Sequence, residues 1–383
     1  MVIPKVILKK ILFANQKILL NLQTTVIFWN MEQKVIFGKR LKCAREMKGI
    51  SMAELSDLMS GIVTRQAIYK YEAGIMLPDS SVLIKLSQIL GVSIDYLFRP
   101  FNVALSGIEF RKKAKMSVKD RKSIEQSVID TVERYFEIED IISVDHNPEL
   151  LKFDKIISSK NDVIDLVNTI RSEWGLGKDG ITDVIGLLES KRIKIIEIDA
   201  TDSFDGLSGI ANDSIVIVLN KNISSTERKR FTALHELGHL VMHFSPDIND
   251  DEKEKLCHLF ASEFLIPTDS FMSIVGDISK GAINLIGFAD IQRTYGISID
   301  ALIKKAYDSE LIAGNKYKNY FISKNRNPIF KEYVEESRIA LEFPQRFNSM
   351  VFGAYSKNLI SASKAASLLN TTVNEVIEKA IFV

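Results

Sequence analysis

The segment FTALHELGHLVMHF, Phe231 to Phe244, constrains this chain more than any other stretch. It holds three of the five histidines in the sequence. His235 and His239 stand four residues apart, which on an α-helix places both rings on one face, able to converge on one cation. Glu236 follows the first of them and points beside such a metal rather than at it. That position suits a base that takes a proton from water at the metal. A buried helix with satisfied imidazoles is the structural alternative. Gly238 costs a helix about 1 kcal/mol relative to alanine, so something should approach closely there, either a sheet strand or a peptide passing over the metal. His243 continues the series at i+8. On a helix rising 1.5 Å per residue it would lie about 12 Å from His235, too far to share an ion with bonds of about 2.0–2.1 Å. His243 therefore reads as a helix-end or supporting residue.

Two histidines leave a zinc site incomplete, because a catalytic site uses three protein ligands and keeps one position open. The next helical stretch, DEKEKLCHLFASEFLIP, offers Glu254, Cys257 and His258, and spacing alone does not choose among them. Asp247, Asp250 and Asp251 lie between the two stretches and read as solvated.

At 383 residues the chain suggests two or three domains. Its net charge of +1 hides an uneven distribution. Residues 35–122 hold 16 Lys and Arg against 8 Asp and Glu, a local +8, which leaves −7 for the rest. A basic N-terminal third points to a polyanion partner for that part alone. Two cysteines, Cys43 and Cys257, cannot build a disulfide framework, so the expected compartment is the reducing cytoplasm. No apolar run reaches the roughly 20 residues that span a bilayer, so no membrane partner is expected. Residues 1–30 are basic and apolar but broken by Asn15, Gln16, Lys17, Asn21 and Gln23, with no small-residue cleavage site. They read as a non-native or disordered extension ahead of a natural start at Met31, with an amphipathic anchor as the alternative.

From Phe37 the pattern is helical and tightly punctuated. FGKRLKCAREMKG stops at Gly49, and SMAELSDLMSG opens on Ser51 with Glu54 three residues on, the layout of a capping box. TRQAIYKYEAG begins at Thr64, DSSVLIKLSQILG follows Pro78, and SIDYLFR follows Ser93, giving five short helices. In the third, Arg65, Gln66, Tyr69 and Lys70 point outward while Ile68 and Tyr71 can turn inward. A generic helical bundle is the plain alternative. The run from Thr64 through IYKYEAG and LP to LIKLSQILGVSIDYL resembles the Xre/Cro-type helix-turn-helix repressors, and the domain is expected over residues 34–99. The resemblance implies that the helix starting at Thr64 enters the major groove of operator DNA. There Arg65 would read guanine and Gln66 adenine, while Tyr69 and Lys70 would reach base or phosphate. The alternative is a fold retained as a protein-contact module.

Residues 100–149 read as a basic linker and connector helix. The cluster Arg111, Lys112, Lys113 and Lys115 precedes an amphipathic stripe of Ile124, Val128, Val132, Tyr135, Phe136 and Ile138. Packing onto a neighbouring domain is the simpler reading of that stripe, and a homodimer contact is the other. Farther on, DVIDLVNTIRSEWGL and GITDVIGLLESK read as helices. RIKIIEID, GLSGIAND and SIVIVLN read as strands, and a helix beginning near Ser225 carries the histidines. A small sheet followed by a histidine-bearing helix is the layout of a zincin-like peptidase core. After Pro267 the chain looks helical, with Ser298 and Ser361 as caps of two further helix–turn–helix shapes, read as packing rather than additional DNA contacts. The expected fold class is α+β and mostly α: a five-helix N-terminal domain, an α/β core with a small sheet, and a helical C-terminal region over residues 316–383.

RFTALHELGHLVMH followed by EKLCHLFASEFLIP resembles the ImmA/IrrE family of zinc metallopeptidases, and GLSGIANDSIVIVLNKN fits that family's strand region. The resemblance spans residues 150–315 and implies Zn2+ as cofactor. It also implies Glu254 as the third ligand, being the glutamate that opens the family's E-x-x-A-N-x-F-A motif. Cys257 and His258 stand where that motif has Ala and Asn. Family members cut helix-turn-helix repressors and release the genes those repressors silence. The resemblance therefore implies a DNA-binding transcriptional regulator with zinc-dependent endopeptidase activity and a repressor as protein substrate. SIVIVLN is the strand expected to pair with an extended substrate. Two readings of other classes stand beside it: a transcription factor whose zinc domain is sensory or structural, and a component of a toxin–antitoxin-like system. Cleavage in trans is expected over cleavage of the chain's own linker between Arg99 and Met116.

Overall fold

A computed structural model describes residues 31–101, 105–106, 117–144, 156–201, 204–276, 278 and 283–380. The N-terminal extension and the basic cluster Arg111, Lys112, Lys113 and Lys115 lie outside these residues. The fold is α+β and mostly helical. Among the described residues, no helix is long and apolar enough to cross a membrane. The chain divides into two compact units. The first takes residues from Met1–Asn102, Ser117–Glu133 and Ile360–Val383, and the second from Val103–Met116 and Arg134–Leu359.

The first unit opens with α1 (residues 31–47), helical already ahead of Phe37, and continues through α2 (Met52–Leu58), α3 (Arg65–Glu72), α4 (Ser80–Leu90) and α5 (Ile94–Phe98). Each short helix is fixed by its cap. Ser51 Oγ accepts from the Glu54 amide at 3.1 Å while the Glu54 carboxylate accepts from the Ser51 amide at 2.6 Å, a complete capping box. Thr64, Asp79 and Ser93 cap the next three. Phe37, Leu41, Leu55, Ile68, Leu86 and Leu97 form the core, all fully buried. Gly38 is required by close approach: a Cβ there would stand 2.5 Å from the Tyr71 carbonyl oxygen and 2.7 Å from that of Glu72. Only glycine lets α1 meet the end of α3. Arg45 closes the same junction with a two-pronged bond to Glu72 at 2.6 and 2.9 Å. A second buried pair joins Arg40 to Glu133 of α6 (Val118–Ile141) at 2.7 Å, and Arg40 Nε also donates to the Arg99 carbonyl at 2.7 Å. The expected stripe of α6, from Ile124 to Ile138, is buried throughout.

Among its described residues the second unit contains two sheets. Strands β1 (Leu105–Ser106), β3 (Lys194–Ile198), β4 (Gly206–Ala211) and β5 (Ser214–Asn220) form one in the order β1-β4-β5-β3, whereas β2 (Ile156–Ile157) and β6 (His243–Phe244) form a parallel pair. β4 runs antiparallel to β1 and β5, and β3 runs parallel to β5. The β4–β5 turn places Asn212 and Asp213 at φ of 43° and 64°, the two left-handed positions of a tight hairpin. Every residue of β5 is buried, as a central strand requires. Both its edges are occupied by β3 and β4, so SIVIVLN has no edge to offer a substrate backbone, contrary to expectation. Helices α7 (Lys160–Glu173) and α8 (Val184–Ser190) precede β3, while α9 (Thr226–Val241) and α10 (Asp250–Leu265) follow β5. Ser225 and Asn249 cap α9 and α10.

Among the described residues six helices continue the second unit: α11 (Thr268–Val275), α12 (Leu285–Tyr295), α13 (Ile299–Asp308), α14 (Gly314–Arg326), α15 (Pro328–Glu335) and α16 (Arg346–Ser356). Ser298 and Ser361 cap α13 and α17 (Ala362–Leu369) as the sequence suggests. Helices α17 and α18 (Val373–Ala380) belong to the first unit, so the C-terminal segment packs with the N-terminal helices. Sequence spacing gave no sign of that return.

Candidate metal centre and helix-turn-helix face

Helix α9 buries Ala233, Leu234 and Leu237 in the core and turns His235 and His239 to the opposite side. Helix α10 packs against it and presents Glu254 one turn after its cap. The Nε2 atoms of His235 and His239 lie 3.2 Å apart. Glu254 approaches both rings, Oε2 at 3.2 Å from His235 Nε2 and Oε1 at 3.5 Å from His239 Nε2. One ligand atom from each residue lies within 4.8 Å of the other two. Ligands at about 2.0–2.1 Å from a tetrahedral zinc are separated from one another by roughly 3.3–3.4 Å. The 3.2 Å between the ring nitrogens and the 3.2 and 3.5 Å from each ring nitrogen to its nearer Glu254 oxygen are close to that value, and two imidazoles and one carboxylate are donors suited to the ion. Two ring nitrogens facing each other also need a cation or proton between them, since their lone pairs otherwise repel. The neighbouring imidazoles, His235 first and then His239, hold the Glu254 carboxyl well below the ordinary carboxylate range. His235, His239 and Glu254 keep 12%, 21% and 38% of their side-chain surface exposed, so the cluster is open to a ligand from solvent.

Glu236 is nearly buried and its Oε2 accepts a hydrogen bond from Ser208 Oγ of β4 at 3.0 Å. Ser208 carries no signal in the sequence, because only the register of β4 brings it to α9. Cys257 and His258 stand beside the donor triangle. Cys257 Sγ lies 3.3 Å from His239 Nδ1, and the His258 ring lies 4.5 Å from that of His235 and stacks on Phe231 at 5.8 Å. Although part of His258 reaches solvent, desolvation of its ring pushes its pKa down to about 4, and His235 adds repulsion.

Two expectations about α9 need correction. The helix ends at Val241, with Met242 extended, so His243 sits not at i+8 of a helix but on β6, paired with Ile156 of β2. The approach at Gly238 comes from neither a strand nor a peptide. A Cβ there would stand 3.2 Å from the Phe260 ring and 3.2 Å from Met242 Cε, so glycine admits α10 to α9. Asp247, Asp250 and Asp251 are exposed, as expected.

In the first unit, Thr64 caps α3 by accepting from the Ala67 amide at 3.2 Å. Thr64, Arg65, Gln66, Tyr69 and Lys70 are all exposed along one side, while Ile68 and Tyr71 bury the other. A helix with polar side chains projecting from a fixed frame can enter a groove of duplex DNA.

The helix-turn-helix family model matches residues 41–97, and the IrrE N-terminal-like domain model of peptidase family M78 matches residues 188–307. The chain is 47% identical over 64 residues to YonR of Bacillus subtilis, described as an SPbeta prophage-derived uncharacterized HTH-type transcriptional regulator. That match covers 17% of this chain and 57% of the relative. It is 38% identical over 64 residues to YqaE, an uncharacterized HTH-type transcriptional regulator of the same organism, covering 17% and 53%. The chain thus spans little more than half the length of these relatives. The chain carries an Xre-type helix-turn-helix domain over residues 41–97 and, over residues 188–307, an IrrE N-terminal-like domain of the M78 peptidases.

Proposed function

We propose that this protein is a DNA-binding transcriptional regulator with zinc-dependent endopeptidase activity, which cuts a helix-turn-helix repressor and so derepresses genes. The observation that carries the reading is the convergence of His235, His239 and Glu254, with Glu236 next to His235 in the chain and its carboxylate held by Ser208, in a chain that also holds a helix-turn-helix domain. Zinc held by those three residues would supply Lewis-acid polarisation of a peptide carbonyl and of a water molecule. Glu236 is the base. It takes the proton from the attacking water and returns it to the departing amine, and the Ser208 hydroxyl keeps its carboxylate turned to that task. The exposed residues Thr64, Arg65, Gln66, Tyr69 and Lys70 are the operator-reading face. They bring the enzyme to DNA where its repressor substrate sits. A purely structural site has no use for a carboxylate poised beside its ligands, which favours the enzyme over a sensory zinc domain. The test is to incubate zinc-loaded protein with helix-turn-helix repressors from the same genome and to map products by mass spectrometry. A single discrete cut in one repressor supports the proposal. Intact repressors throughout, with zinc bound, would leave the sensory reading in its place.

A further inference from the structure

The two candidate histidine ligands are supported unequally. His235 Nδ1 is buried with no hydrogen-bond partner among the described residues, and its ring lies tilted against that of His258, which in turn stacks on Phe231. His239 Nδ1 instead faces the sulfur of Cys257 at 3.3 Å, and Cys257 is fully buried on α10. If His239 offers its Nε2 lone pair to a metal, the ring is neutral and its remaining proton sits on Nδ1. That N–H then donates to Sγ. The sulfur meets the far nitrogen of the ring, and Cys257 is not in the group of donors that converge with Glu254.

We infer that Cys257 is a positioning residue: it fixes the tautomer and orientation of His239 by accepting the Nδ1–H, without itself touching the metal. The inference rests on the metal-holding part of the proposed function and is independent of cleavage. Outer partners of ligating histidines fix ring orientation and raise ligand basicity, and their loss commonly lowers metal affinity by about 10–100-fold. Sulfur is a weak acceptor, so the lower end of that range applies here.

The experiment measures zinc affinity by competition with a chromophoric chelator for the full-length wild type, Cys257→Ala and Cys257→Ser. The imidazole nitrogen shifts of His239 are read by NMR in the same proteins without metal. Cys257→Ala should bind zinc about tenfold more weakly, with His239 redistributed between its two tautomers. Cys257→Ser keeps an acceptor and should recover most of the affinity and the single Nδ1–H form. A purely packing role for the thiol would leave the tautomer unmoved. Equal affinity and an unchanged tautomer in Cys257→Ala would overturn the inference. So would a thiolate-to-metal charge-transfer band in the cobalt-substituted wild type, which would make Cys257 a ligand. A wild type that binds no zinc would remove both this inference and the reading it rests on, whereas zinc binding without cleavage would remove only the peptidase.

Discussion

The exposed face of α3 and the cluster between α9 and α10 prepare residues for function in opposite ways. On α3 the five candidate contacts project separately from a helix whose other side is locked by Ile68 and Tyr71. Between α9 and α10 each group is held by the next: Glu254 by two imidazoles, His239 by Cys257, His235 by His258, Glu236 by Ser208. Independent contacts should fail one at a time and by modest amounts. Mutually supporting ones should fail together.

The sharpest break in that contrast comes from the ligands. His235→Ala, His239→Ala or Glu254→Ala should each strip the metal and abolish cutting, while His243→Ala, on β6, should do neither. Metal analysis of the four purified variants checks this. Metal retained in Glu254→Ala would move the third ligand elsewhere.

A large effect on stability is expected from the double variant Arg40→Ala and Arg99→Ala, which removes both cationic partners of buried Glu133. Breaking such a pair costs about 3–5 kcal/mol, and denaturant unfolding should register the loss in the first unit. A shift under about 1 kcal/mol would mean that water reaches the pair.

Arg65→Ala and Gln66→Ala should act more gently. Each should relax preference at a single base pair by about 1–3 kcal/mol, and the double variant should approach the sum of the two. Binding measured against a panel of operator variants would show this. A collapse in affinity for all sequences would instead mark these residues as structural. The smallest effect is expected from neutralising Lys112 and Lys113 together. Binding to all duplexes should weaken by a similar factor, with a shallower salt dependence. A change in sequence preference would contradict a phosphate-contact role.

Legibility in the sequence followed how local each determinant is. The caps at Ser51, Thr64, Ser225 and Ser298 and the face shared by His235 and His239 depend on residues within a few positions, and the helices and strands follow from such patterns. What spacing hid depends on packing between distant segments. Ser208 reaches Glu236 only through the register of β4, Cys257 reaches His239 only through the packing of α10 on α9, and Phe260 explains Gly238. The end of α9 before His243 was hidden for a related reason. β6 pairs there with β2, a tertiary demand that outweighs the helical pattern where it would continue through Met242 and His243. The buried partner of Arg40 lies 93 residues away, and no periodicity announces it.

Whether the enzyme cuts its own kind sharpens the comparison further. A tagged Glu236→Gln copy mixed with active protein, zinc and operator DNA should stay whole, because the substrate is expected to be a separate repressor. Fragments ending near residues 99–116 would make the linker a substrate.

The central claim is that a base beside a three-residue metal site performs peptide hydrolysis. Its most direct test takes one preparation each of wild type and Glu236→Gln and measures zinc stoichiometry and repressor cleavage on the same samples. Equal zinc in both, with cleavage confined to the wild type, is the predicted result. Equal zinc with equal cleavage, or a wild type that holds zinc and cuts nothing, would contradict it.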